Sequence, residues 1–97
     1  MHHTLLERRT RDVHSRLKRA REELAVLDEQ LAVVVESADE ARVRSLVSET
    51  PLAAHEHSEA ARHADAMTRA REALALTVLA LEKKQDELLA DVATGRS

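Results

Sequence analysis

The sequence predicts an all-α fold, an antiparallel coiled-coil helical hairpin of two long helices, on three observations. Leu17, Leu24 and Leu31 recur every seven residues, with Ala20, Leu27 and Val34 three positions further on. That alternation of three and four is a coiled-coil seam. The chain has no Phe, Tyr or Trp, one Gly, one Pro and 34% charged residues, so turn formers are too scarce to close the many hairpins of a sheet. Finally, Pro51 stands almost at the midpoint of the 97 residues. Two arms of nearly equal length then fold back, pairing residues whose numbers add to about 100.

The first helix is expected over about residues 4–36. Thr4 is placed to cap it, and Glu7, three residues on, completes the capping-box pattern. Its seam extends back through Val13 and Leu6 at d and Thr10 and His3 at a. At Ser37-Ala-Asp-Glu40 the Ser-x-x-Glu pattern repeats, and Val43, Leu46 and Val47 leave the face of Ala38 and Ala41. This predicts a short separate helix, or a bend, over about 38–48. A turn at 49–51 follows, where Thr50 caps a helix begun by Pro51, whose missing N–H costs nothing at the first helical position. That last helix is expected to run to about Thr94 and stop at Gly95. Its seam reads Ala60, Ala64, Met67, Leu74, Val78, Leu81, Leu88 and Val92, interrupted by Arg71 and Gln85.

Residues 1–97 are expected to form one domain, with a core thin enough to call for a second copy. At 100° per residue, Leu76 and Leu79 point nearly opposite to Leu74, Val78 and Leu81. Val26 and Val33 likewise point away from the Leu24–Leu31 seam. These four residues are the expected self-association surface, through which hairpins dimerise into a four-helix bundle. The alternative is that they are scattered surface residues, or that 38–48 folds over them.

The sharpest charge feature is Arg8, Arg9, Arg11, Arg16, Lys18, Arg19 and Arg21, interrupted by Asp12 alone among acidic residues. All seven avoid the a and d positions. A basic helical segment running into leucines at seven-residue spacing resembles the basic region of leucine-zipper DNA-binding proteins. That resemblance implies phosphate binding by the arginines, but the chain contains no Asn, the residue with which such regions read bases. Arg8, Arg9, Arg16, Lys18 and Arg19 are therefore candidates for binding phosphate or an acidic partner. A hairpin would also bring this segment beside Glu82, Asp86, Glu87 and Asp91, whose interhelical pairs would neutralise much of it. The net charge of −3 argues against a dedicated nucleic-acid binder.

His55, Glu59 and His63 fall along one helical stripe near His57. Eight residues rise about 12 Å, so the outer histidines cannot share one ion. No metal or other cofactor is expected. Neither a Gly-rich phosphate loop nor a nucleophile beside a base is present, and a two-helix hairpin has no cleft for catalysis, so no enzymatic activity is expected. The chain lacks cysteine, a signal-peptide core and an apolar run long enough to span a bilayer, so a cytoplasmic protein without membrane contact is expected. Twelve Arg against three Lys, with no Ile, Asn, Phe or Tyr, matches the codon bias of a GC-rich bacterial genome. The functional expectation is a protein–protein interaction module, an adaptor, assembly or regulatory subunit whose partners are itself and another protein. A nucleic-acid-associated or transcription-linked regulator using the Arg8–Arg21 face is the alternative.

Overall fold

A computed structural model describes residues 4–95 as two antiparallel helices, α1 (Leu5–Ser48, 44 residues) and α2 (Pro51–Ala93, 43 residues). The ends form where side-chain chemistry places them. The Glu7 N–H donates to Thr4 Oγ1 at 3.1 Å, and the Ala53 N–H donates to Thr50 Oγ1 at 3.1 Å. Each cap satisfies one of the amides that a first helical turn leaves without a backbone partner. Gly95 takes φ of 74° after α2, and its N–H reaches the Val92 carbonyl at 3.2 Å. α1 ends instead on Glu49, held at φ of 50° with its N–H on the Ser45 carbonyl at 3.1 Å.

Of the separate helix or bend expected over 38–48, the separate helix does not form, because α1 continues through Ser37 to Ser48. Ala38, Glu40 and Ala41 are good helix formers, and no Gly or Pro intervenes. Arg42 adds a local clamp, donating from Nε and a terminal nitrogen to Asp39 Oδ1 at 3.1 and 3.0 Å. The seam also keeps its phase. The described residues of α1 that are not exposed run Leu6, Thr10, Val13, Leu17, Ala20, Leu24, Leu27, Leu31, Val34, Ala38, Ala41 and Ser45. Spacings of four and three alternate throughout, with small residues carrying the seam after Val34. Val43, Leu46 and Val47 are exposed and lie outside it. His3 falls outside the described residues.

The chain divides into two compact units, the described parts of Met1–Leu24 with Leu74–Ser97 (unit 1) and Ala25–Ala73 (unit 2). Unit 1 is built on aliphatics: Leu17, Ala20 and Val78 are buried together, with Leu24, Leu74 and Leu81 packed against them. Arg21 donates to Glu82 at 2.9 Å, and the Gln85 amide lies 3.1 Å from His14 Nδ1. Val92, expected in the seam, is 44% exposed, since it stands level with the first turn of α1, where cover runs out. Unit 2 is built on small residues. Ala41 and Ala53 are buried, and Ala38, Ser45, His57, Ala60 and Ala64 are half-buried. Farther from the turn, Arg71 Nε donates to Asp28 Oδ1 at 2.6 Å. Pairing in each unit joins residues whose numbers add to 99 or 103, the fold-back that a turn at the chain's midpoint dictates.

Candidate functional site

The seam consumes one stripe of each helix, so any site must be built from the remaining faces. In unit 1, Arg8, Arg9, Arg11, Arg16, Lys18 and Arg19 are all exposed. Arg16 lies 3.9 Å from Asp12 one turn earlier, and Arg21 is taken by Glu82. The side chains of Arg8, Arg9, Arg11, Lys18 and Arg19 have no hydrogen bond or ion pair among the described residues. Of the four acidic residues expected opposite, Glu82 alone meets the basic segment. Arg8, Arg11, Lys18 and Arg19 occupy the far side of α1, whereas Arg21 flanks the seam and reaches Glu82.

Unit 1 also holds a feature that the sequence reading missed, an open groove of about 590 Å³ lined by Glu7, Thr10, Arg11, His14, Gln85, Leu89 and Val92. Gln85 had been visible as a polar break in the α2 seam. Its partner His14 follows from the pairing rule but carries no motif of its own. The Gln85 Nε2 amide donates to His14 Nδ1, which accepts when the ring carries its proton on Nε2. Elsewhere in the unit, Leu76 and Leu79 are 67% and 61% exposed, pointing away from the seam as expected.

In unit 2, Val26 and Val33 are exposed. The stripe of His55, Glu59 and His63 does not gather into a site. His57 is half-buried in the seam, His55 and His63 are exposed, and Glu59 is paired with Arg62. Among the described residues no group of three or more His, Cys, Asp or Glu is placed to hold a metal ion. Arg71 is the group whose acidity is clearly perturbed. The hydrogen bond from its guanidinium to Asp28, and the charge of that carboxylate, raise its pKa above the usual value. Asp28 thereby fixes a cation at a seam position.

No described helix is long and apolar enough to cross a membrane. What the described surface offers is exposed aliphatic and charged helix faces, the material of helix–helix recognition. No protein-family model matches this chain, and no match to it was found among curated proteins or solved structures.

Proposed function

We propose that this chain is a non-enzymatic protein–protein interaction module, a small adaptor, assembly or regulatory subunit that works through helix faces outside its own seam. The observation that carries this reading is the set of large aliphatics standing exposed there, Leu76 and Leu79 in unit 1 and Val26 and Val33 in unit 2 among them. Fully burying such a side chain is worth up to ~2 kcal/mol, so a partner covering several of them gains substantially.

Self-association through Leu76 and Leu79 is the most accessible test. Wild type should sediment above 10.8 kDa at tens of micromolar and melt at a temperature that rises with concentration. Leu76→Glu with Leu79→Glu should reduce the sedimenting mass to that of the monomer. A wild type that is monomeric, with a concentration-independent melt, would remove self-association from the proposal.

A second function, a nucleic-acid-associated regulator, is favoured by one observation, that the side chains of Arg8, Arg9, Arg11, Lys18 and Arg19 have no partner among the described residues. If these residues bind phosphates, Arg9→Glu, Arg16→Glu and Arg19→Glu together should abolish duplex DNA binding, and the wild-type affinity should fall steeply with salt. Absence of DNA binding by wild type at low salt would eliminate this reading.

A further inference from the structure

In unit 2 the face of α1 opposite its seam carries a second regular stripe: Val26, Glu29, Val33, Glu36, Glu40, Val43 and Val47. The spacings are three and four in alternation, the pattern of a helix-binding seam. The four valines are exposed by 52, 67, 47 and 78%. Valine is a mediocre helix former, so a merely solvated face would favour Ala, Lys or Glu. The same heptad positions traced back into unit 1 read Glu22, Arg19, Ser15, Asp12 and Arg8, with no aliphatic until Leu5 in the first turn of α1. The repeated valines therefore belong to unit 2.

Charge selects what covers it. The side chains of Glu29, Glu36 and Glu40 have no hydrogen bond or ion pair among the described residues. Between Ala25 and Ala73 there are ten Asp and Glu against five Arg, a net charge of −5, and Arg44 is the cation nearest the stripe. A second copy laid antiparallel on the same stripe would set Glu36 against Glu36, which is unfavourable. We propose that this stripe, deepening the interaction-module reading, docks a basic amphipathic helix of another protein. Its aliphatic side chains cover the four valines and its Arg or Lys side chains meet the three glutamates. The stripe spans about 32 Å at 1.5 Å per residue, so the partner contributes about six helical turns.

The test uses the full chain and two labelled synthetic helical peptides. One has leucines set to meet the valines and arginines set to meet Glu29, Glu36 and Glu40; its twin has glutamates in place of the arginines. By fluorescence anisotropy the basic peptide should bind at least about tenfold more tightly than the twin. Glu29→Lys, Glu36→Lys and Glu40→Lys together should reverse that preference. Val33→Ser with Val43→Ser should weaken the basic peptide by about tenfold or more. Circular dichroism should show unchanged helix in both variants. Equal affinity for the two peptides, no binding of either, or no reversal on charge exchange would overturn the proposal. So would sedimentation showing that the serine substitutions abolish self-association, which would assign the stripe to a second copy. The Leu76 and Leu79 assay addresses a different surface, so this proposal and the broader one fail separately.

Discussion

Glu49 sits in the left-handed region at φ of 50° without being glycine, and Thr50 beside it holds the first turn of α2 through its hydroxyl. The two neighbours therefore act in opposite senses. An L-residue in that region is strained by about 1 kcal/mol, part of which glycine returns in unfolded-state entropy. Glu49→Gly should accordingly stabilise the hairpin by a few tenths to about 1 kcal/mol in urea unfolding. Thr50→Ala should destabilise it by about 1 kcal/mol through loss of the cap. Equal signs for the two substitutions would mean that the turn is held by something other than its local backbone. Thr50 was legible in the sequence because a cap followed by Pro is local chemistry. Glu49 was not, because nothing in its type announces a left-handed residue. The same contrast runs through the charges. Arg21 and Glu82 form the expected bridge, and the basic residues around them are exposed, as their avoidance of the a and d positions implied, but that only one of the expected interhelical pairs forms was not legible.

At the level of the element, α1 is one helix whose seam changes character along its length, from Leu17 and Ala20 in unit 1 to Ala38, Ala41 and Ser45 in unit 2. The sequence read correctly as far as Val34 because large aliphatics mark a seam plainly. Beyond it, small residues carry the seam while Val43, Leu46 and Val47 stand off it, so hydrophobicity alone pointed to the wrong face. The correction makes a prediction with two arms. Ala41→Leu should destabilise by about 1–3 kcal/mol, because a buried alanine seam has no room for three more carbons. Leu46→Ser should stay within about 0.5 kcal/mol, since an exposed side chain loses little on substitution. A separate helix packed through its aliphatics would reverse that order. Thermal melts of the two variants against wild type at one concentration would decide it.

Across the whole molecule, each unit leaves the outer faces of its helices uncovered, aliphatic at Leu76 and Leu79 in unit 1 and at the valine stripe in unit 2. Function was the least legible level. A seam announces itself by periodicity, but its uncovered counterparts are recognisable only after the structure has removed the covered residues from the list. Every proposal above requires that the two helices of one chain cover each other's seam, leaving those outer faces free. Spin labels at Leu5 and Val92, both in unit 1, measure this by pulsed dipolar spectroscopy, with labelled chain diluted into unlabelled chain. Packed helices lie about 8–10 Å apart, so the labels should fall within roughly 20 Å of each other. A separation of about 100 Å or more, that of an opened helix at 1.5 Å per residue, would contradict the hairpin and leave pairing between chains as the way the seam is covered.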